Sequence, residues 1–291
     1  MTGAVALLTG LALAGCGGGG DAGDAAEEAV ASASLAATPS RLIELWNERQ
    51  AAFGIFVPSE RARDDRGPDG ERLPPLYTAE GAQTLAANPL LDYLFLNLEG
   101  AYDPSAVTAM MTGLEASGSD LSLLVRIPPI STDGEEAARQ RVHEILGAGA
   151  HGVVMPHVRS EAEATLAISF FEEVGADVWS PENPDGTIFA MLMVEDPGAL
   201  AELGAIASLP GYSVLACGIG SLTRALDGDR EAAEAGNQDV LVAATEAGLA
   251  DMITANVNDV AQRVEEGFLG LLMGGPGADE AIQAGREAAG R

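Results

Sequence analysis

Ile188-Phe-Ala-Met-Leu-Met-Val-Glu195 is an uninterrupted apolar run that ends in a single carboxylate. The run is too short for a free-standing helix and is apolar on both alternating faces, which predicts a parallel strand buried on both sides. Glu195 is then expected at the exposed tip of this strand. In a barrel of parallel strands the chemistry lies at the C-terminal strand ends, so Glu195 is a candidate metal ligand or base. The alternative is an acid at a helix N-terminus, because Asp196-Pro197 follows.

Seven other segments have strand character, and helical periodicity fills most of the intervals between them. The predicted strands cover residues 52–57, 93–98, 121–127, 152–155, 213–217, 251–256 and 268–273. The predicted helices cover residues 41–50, 78–87, 135–146, 160–174, 198–207, 237–247, 260–266 and 279–289. Eight such alternations predict one α/β domain over residues 41–291, a (β/α)8 TIM barrel. Residues 58–75 form a long polar connection, which predicts a mobile loop over the active face.

The charge balance is strongly acidic, with 44 acidic against 15 basic side chains and a net charge of -29. Such a chain repels nucleic acid phosphates and anionic lipid headgroups. We therefore expect no nucleic acid partner.

Every basic side chain apart from the histidines is Arg, since the sequence contains no Lys. The absence of Lys excludes a Schiff base with a carbonyl substrate and the attachment of pyridoxal phosphate (PLP). Carbonyl chemistry in this chain would need a metal ion or a hydrogen-bonded oxyanion site instead.

The N-terminal residues have the pattern of an export signal. Residues 4–15 are a short apolar segment of signal-peptide length, and Leu13-Ala-Gly-Cys16 resembles the lipobox of bacterial lipoproteins. The resemblance implies a signal peptide over residues 1–16, lipidation of Cys16 and a membrane-anchored lipoprotein exported to the periplasm or cell surface. Residues 17–40 are predicted to be a flexible linker. The alternative is a cytosolic protein with a disordered Ala/Gly tail.

Six pieces of the barrel region together resemble the HpcH/HpaI aldolase and citrate lyase family. The pieces are Ala52-Phe-Gly-Ile-Phe56, residues 92–99, Leu124-Val-Arg-Ile-Pro128, Gly149-Ala-His-Gly-Val-Val-Met-Pro156, Met193-Val-Glu195 and Leu209-Pro-Gly-Tyr-Ser213. They occur in the order and spacing of that family, and the resemblance covers about residues 45–290. Family members are metal-dependent enzymes that cleave or form carbon bonds next to pyruvate or related oxo acids.

The resemblance assigns roles to several residues. Arg126 takes the place of the Arg that holds the substrate carbonyl and carboxylate, and its forked guanidinium suits those two acceptors. Glu195 takes the place of a metal ligand for Mg²⁺, Mn²⁺ or Co²⁺, which would polarise the oxo acid and stabilise its enolate. Gly218 and Ser221, which follow the sixth predicted strand, are expected to contact the substrate. Family members are commonly oligomers, so a homo-oligomer is expected.

The chain also departs from the family pattern. Ser221 stands in the place of the second metal carboxylate, and Gly100 stands in the place of the base His that follows the second-strand acid. Asn97 replaces the Asp at the start of the same motif. The resemblance therefore implies a conserved scaffold, one metal ligand and the substrate Arg, without the usual acid and base groups.

Two residues are candidates for the missing proton-transfer roles. His157 directly follows Met155-Pro156 at the predicted top face and is the best candidate for an imidazole base, the alternative being an ordinary loop His. Glu99 lies on the same rim, where it could ligate metal or exchange protons. The alternative for Glu99 is an ion pair with Arg126.

The function predicted from the sequence is that of a lyase that cleaves or forms a carbon–carbon bond in a small 2-oxo or hydroxy acid with the help of a divalent metal ion. The competing prediction is a non-catalytic exported protein that binds carboxylates on an aldolase scaffold. The lost acid and base groups favour the second prediction, whereas Glu195 and Arg126 favour the first.

Overall fold

Eight parallel strands form the framework of the chain in a computed structural model, which describes residues 40–291. The strands are β1 Ala52–Phe56, β2 Tyr93–Asn97, β3 Ser122–Arg126, β4 Gly152–Val158, β5 Phe189–Val194, β6 Val214–Ala216, β7 Met252–Thr254 and β8 Gly270–Met273. They pair in the order β6-β5-β4-β3-β2-β1-β8-β7, and a bridge between Val214 and Ala250 joins the two outer strands. The predicted (β/α)8 TIM barrel is confirmed. The predicted signal peptide, Cys16 and nearly all of the predicted linker lie outside the described residues.

The helices surround the strands in the expected alternation. Their bounds are α1 Arg41–Asn47, α2 Ala79–Ala86, α3 Pro104–Ser117, α4 Ile130–Asp133, α5 Glu135–Gly147, α6 Glu161–Glu173, α7 Pro197–Ala201, α8 Leu203–Ala207, α9 Ile219–Ala225, α10 Arg230–Glu246, α11 Val260–Glu266 and α12 Ala278–Ala288. Helix α3 was not predicted from the sequence, although Asp103 caps it and Pro104 begins it. Helices α4 and α9 were not predicted either, and the predicted start of α10 was seven residues too late.

The barrel interior is filled by bulky side chains that alternate along the strands with residues facing the helices. Helix α1 closes the N-terminal end, where the Trp46 indole donates a hydrogen bond of 2.9 Å to the carbonyl of Leu269. Gly54 makes room for the buried ring of Tyr93, which would overlap a Cβ at that position. The interior is therefore a packed core that leaves the C-terminal strand ends as the open face.

Strand β4 contains the irregularity that shapes this open face. The sequence predicted an end at Met155, but pairing with β5 resumes at Val158 after a shift in register. His157, which lies between Met155 and Val158, has a φ of 53°. This is a left-handed backbone conformation that residues other than glycine rarely adopt. A bulge of this kind turns a side chain away from the regular alternation of a strand. His157 is thus part of the strand and is not a residue of the following loop.

The long connection between β1 and α2 contains an isolated bridge between Arg66 and Arg72 but neither a helix nor an extended strand. It lines a cavity of about 500 Å³ that also touches Asn97 at the end of β2. This contact places the connection at the active face, as predicted from the sequence, while its mobility stays a prediction. In the part of the chain that is described, no helix combines the length and apolarity that crossing a membrane requires.

Candidate active site

Four charged side chains that were predicted from separate strand ends lie together at the C-terminal mouth of the barrel. Glu99 follows β2, Arg126 ends β3, His157 lies in the β4 bulge and Glu195 follows β5. The prediction that these residues share one rim is confirmed. The expectation that Glu195 forms an exposed tip is wrong, because only 2 % of this residue is accessible. The burial follows from the inward bend of β4, which brings His157 against the carboxylate.

The imidazole of His157 bridges the two carboxylates. Its Nε2 lies 3.0 Å from Oε1 of Glu99, and its Nδ1 lies 3.0 Å from Oε2 of Glu195. The Glu195 side chain has no exposed surface, whereas that of Glu99 is 23 % exposed. Neither Glu195 oxygen accepts a hydrogen bond of good geometry from any described residue. The buried carboxylate is therefore balanced by a nearby positive charge rather than by a set of directed donors.

The two carboxylates change the protonation of His157. Contact with Glu195, and next with Glu99, raises the pKa of His157 to about 9, against the opposing effect of partial burial. Contact with His157 in turn lowers the pKa of Glu99, despite partial burial, and the charge of Arg126 contributes to the lowering. At neutral pH His157 is therefore mostly the imidazolium, so that it is a proton donor in its resting state.

Arg126 is held in place from two sides. Its Nη2 lies 2.6 Å from Oε2 of Glu99, and its Nε donates a hydrogen bond of 3.0 Å to Oδ1 of Asn97. The sequence left two roles open for Glu99, metal binding or proton exchange and an ion pair with Arg126. The structure contains the ion pair. The remaining nitrogen, Nη1, has one hydrogen-bond partner among residues 40–291, the sulfur of Met193 at 4.0 Å. Most of the guanidinium fork is thus already used, and a single N–H edge remains for a ligand.

The loop after β6 supplies the other side of the site. A Cβ at Gly218 would overlap Oε1 of Glu195, so a glycine is needed for the carboxylate to reach its buried position. Ser221 lies in the first turn of α9, where its hydroxyl accepts a hydrogen bond of 2.9 Å from Nη2 of Arg224. The sequence analysis did not identify Arg224. Its only sequence signal is its position one helical turn after Ser221.

A cavity of about 450 Å³ lies beside Arg126 and Glu195, whereas Glu99 and His157 line a neighbouring cavity of about 480 Å³. The walls of the first cavity include Arg126, Glu195, Gly218, Ser221 and Arg224. A volume of this size is within the usual range for small-molecule sites. The predicted substrate-binding residues Arg126, Gly218 and Ser221 therefore face one common space, and the space is large enough for a small oxo acid.

The donor set fits a divalent metal ion only in part. Glu195 is a buried carboxylate without directed hydrogen bonds, which suits a cation. The second oxygen ligand is missing, since Ser221 is bound by the guanidinium of Arg224. Among residues 40–291 no three His, Cys, Asp or Glu side chains are grouped as a metal ion would require. Because hard divalent cations need several oxygen ligands, the described side chains do not fit such an ion as they stand.

Comparisons with known proteins agree with this architecture. The chain is similar in structure to an HpcH/HpaI aldolase/citrate lyase family protein from Burkholderia cenocepacia J2315, with 21% identity and a TM-score of 0.63 over 86% of this chain and 97% of the other. It is similar to the HpcH/HpaI aldolase from Desulfitobacterium hafniense DCB-2, with 20% identity and a TM-score of 0.62 over 85% and 95% of the two chains. At these identities the similarity shows the fold.

A third similar structure is the protein CitE from Mycobacterium tuberculosis in complex with magnesium and acetate. It has 18% identity and a TM-score of 0.57 over 84% of this chain and 93% of the other. No curated protein sequence matches the chain. The sequence model of the HpcH/HpaI aldolase/citrate lyase family matches residues 79–279, which include all of the strand ends described above except that of β1. This chain therefore belongs to the HpcH/HpaI aldolase/citrate lyase family.

Proposed function

We propose that the protein is a carbon–carbon lyase that splits a small 4-hydroxy-2-oxo acid into pyruvate and an aldehyde. The observation that carries the proposal is the bridge from Glu99 through His157 to Glu195, which lies beside Arg126 at the mouth of the barrel. A bridge of this kind can take and return one proton, and the neighbouring guanidinium can stabilise a developing oxyanion. A retro-aldol cleavage requires these two functions.

The proposed reaction needs no external oxidant or reductant. Neutral His157 takes the proton of the substrate 4-hydroxyl group, the bond between C3 and C4 breaks, and C4 leaves as the aldehyde. The electron pair moves to the C2 carbonyl oxygen, and the resulting enolate is stabilised by the free Nη1 edge of Arg126. The imidazolium then returns its proton to C3, which gives pyruvate.

Glu195 and Glu99 have different roles in this scheme. Glu195 is fully buried and lies 3.0 Å from Nδ1, so its charge stabilises the imidazolium that forms. Glu99 is partly exposed, so the substrate hydroxyl group approaches Nε2 from that side by displacing one hydrogen-bond partner. Binding of a divalent ion to Glu195 stays a prediction, and the proposed reaction proceeds without such an ion.

A retro-aldol assay tests the proposal. Purified full-length protein is mixed with a panel of 4-hydroxy-2-oxo acids, with and without Mg²⁺, Mn²⁺ or Co²⁺, and pyruvate release is measured. We expect turnover that falls by about 100- to 10,000-fold in His157→Gln, the range attributed to general acid–base groups. His143→Gln is the matched control, because His143 is exposed on the outer helix α5. Absence of pyruvate release from every substrate would contradict the proposal.

The second candidate function is that of a non-catalytic carboxylate-binding protein. The contact between Arg224 and Ser221 favours this candidate. The guanidinium lies at the place where a lyase of this family is expected to have a carboxylate that binds the metal ion. Binding of oxo acids without any turnover would support this candidate.

We also propose, from the sequence alone, that the protein is an exported lipoprotein anchored through Cys16 and that it forms homo-oligomers. Cys16→Ser is expected to move the protein from the membrane fraction to the soluble fraction of a bacterial host. Mass spectrometry of the mature N-terminus would detect the lipid directly, and an unmodified Cys16 would contradict the anchor. Light scattering would measure the oligomeric state.

A further inference from the structure

Arg224 is a cation of the active-site cavity that has no acidic partner. Its Nε donates to the carbonyl of Gly220 at 3.3 Å and its Nη2 donates to the hydroxyl of Ser221 at 2.9 Å. Within residues 40–291 it makes no ion pair, although the sequence contains 44 acidic side chains and 15 basic ones. An arginine that stays unpaired and lines a cavity is available for an anionic ligand. Arg230 lines the same cavity and also makes no ion pair among the described residues, but Arg224 is the one that contacts Ser221.

The other charged groups at the strand ends already have partners. Glu99 contacts both Arg126 and His157, and Glu195 contacts His157. Arg126 also donates to Asn97, so that it keeps one free N–H edge. The one free N–H edge of Arg126 can bind the carbonyl oxygen of an oxo acid, but none of these groups is then left for its carboxylate.

Arg224 is placed where it can supply a further N–H donor, since its Nη1 is free and no acid among the described residues neutralises its charge. Its side chain folds back along α9 toward Ser221, at the edge of the same cavity that contains Arg126 and Glu195. It is close enough to Glu99 that its charge contributes to lowering the pKa of that carboxyl group. Its Nη1 has no hydrogen-bond partner among the described residues. The guanidinium therefore faces the space between the loop after β6 and the strand ends.

We propose that Arg224 binds the carboxylate of the oxo acid, and that the protein holds this ligand with arginine side chains and without a divalent metal ion. The inference rests on the proposed function for the class of ligand, and it accounts for the incomplete metal donor set. A divalent ion beside Ser221 would lie next to the guanidinium of Arg224. The two positive charges would repel each other, so the site cannot easily hold both. The hydrogen bond between Arg224 and Ser221 stabilises the arrangement without metal.

Titration calorimetry with pyruvate and with oxalate, a planar mimic of the pyruvate enolate, tests this inference on the full-length protein. Each ligand is titrated in the presence of EDTA and again in the presence of Mg²⁺ or Mn²⁺. We expect the same Kd under both conditions. We expect Arg224→Ala to weaken binding by about 10- to 100-fold, the usual loss for a hydrogen bond to a charged group. Arg224 is exposed, so its replacement leaves the folded core unchanged.

Arg49→Ala is the matched control, because it removes the same charge from an exposed arginine that follows α1 at the closed end of the barrel. We expect its Kd to stay within about twofold of the wild-type value, since distant surface charges are screened. An Arg224→Ala variant that binds as tightly as wild type would overturn the inference, as would wild-type binding that requires a metal ion. Failure of the wild type to bind either ligand would overturn it as well.

These outcomes separate the inference from the proposed lyase activity. Metal-independent binding that depends on Arg224, together with no pyruvate release from any 4-hydroxy-2-oxo acid, would support the inference and contradict the lyase. Metal-dependent pyruvate release would support the lyase and contradict the inference.

Discussion

Nδ1 of His157 lies 3.0 Å from Oε2 of Glu195, a carboxylate whose side chain has no exposed surface. The contact is possible because the bulge in β4 places His157 in a left-handed conformation and turns it toward the end of β5. A buried carboxylate without directed donors stabilises the charged form of a neighbouring imidazole. This contact therefore has the largest influence on the protonation of His157.

The pH dependence of the lyase reaction should report the pKa of His157. The raised value of about 9, compared with the ordinary value of 6.5, means that most molecules carry the imidazolium at neutral pH. If neutral His157 is the base, kcat/KM for retro-aldol cleavage rises by about tenfold per pH unit and levels off near pH 9. Steady-state kinetics across this range measure the profile. A plateau that begins near pH 6.5 would show that the base is a different group or that the bridge is absent.

Replacement of Glu195 by Gln should lower the pKa of His157 toward its ordinary value. The expected result follows because Glu195 is the largest of the influences that raise this pKa. NMR titration of the histidine ring protons measures the change, with His157→Gln to assign the signal. The plateau of kcat/KM should move to lower pH in the same variant. Glu173→Gln, which alters an exposed ion pair with Arg139, is the control that should leave the titration unchanged.

The raised pKa of His157 also makes the stability of the protein depend on pH. Because the pKa of His157 is raised in the folded protein, its contribution to the free energy of unfolding is fully present below about pH 6.5 and is lost as the pH rises through 9. Denaturant unfolding of wild type and Glu195→Gln at both ends of this range should show a smaller pH dependence in the variant. An equal pH dependence in the two proteins would contradict the assignment.

Arg126→Ala should weaken the binding of oxo acids by about 10- to 100-fold while the fold remains intact. The replacement removes the remaining donor to the carbonyl oxygen, a loss of about 1.5–3 kcal/mol, which corresponds to about 10- to 100-fold in Kd. Calorimetry with pyruvate measures the effect, and circular dichroism checks the fold. Arg141→Ala is the control, since Arg141 pairs with Asp133 and lies over the ring of Tyr102, outside the cavity. Unchanged affinity in Arg126→Ala would remove Arg126 from the site.

Much of the fold could be predicted because the strands are apolar on both faces. Burial between the interior and the helix layer requires such runs, and the run that ends at Glu195 is the clearest of them. The rule that parallel strands end on one face then brings Glu99, Arg126 and Glu195 together without knowledge of their contacts. Helix α9 was missed because its sequence, Ile-Gly-Ser-Leu-Thr-Arg-Ala, is short, contains a glycine and lacks a capping side chain.

The contacts within the site could not be predicted from the sequence. The burial of Glu195 depends on a bulge in a neighbouring strand and on the absence of a side chain at Gly218, which are tertiary features. The role of Arg224 depends on the direction of a long side chain at the protein surface, which sequence spacing does not determine. Local patterns thus identified which residues reach the rim, whereas packing decided which of them meet.

Asp92 at the closed end of the barrel should be far more important for stability than a typical surface acid. Its fully buried carboxylate accepts a hydrogen bond of 2.9 Å from the backbone N–H of Phe53 and contacts Arg41, Arg286 and Arg291. Asp92→Ala leaves that N–H without its side-chain acceptor and leaves the mostly buried guanidinium groups of Arg286 and Arg291 without their acidic partner.

The expected cost for Asp92→Ala is about 3 kcal/mol in the free energy of unfolding, which is typical of breaking a buried ion pair from one side. Denaturant unfolding measures this loss. Asp133→Ala is the matched control, because it removes the partner of Arg141 at a more exposed position and should cost less than about 1 kcal/mol. Since Asp92 lies at the opposite end of the barrel from His157, ligand affinity in Asp92→Ala should stay at the wild-type value under conditions where the variant is folded. Equal losses of stability in the two variants would show that the arginine cluster around Asp92 is no stronger than a surface ion pair.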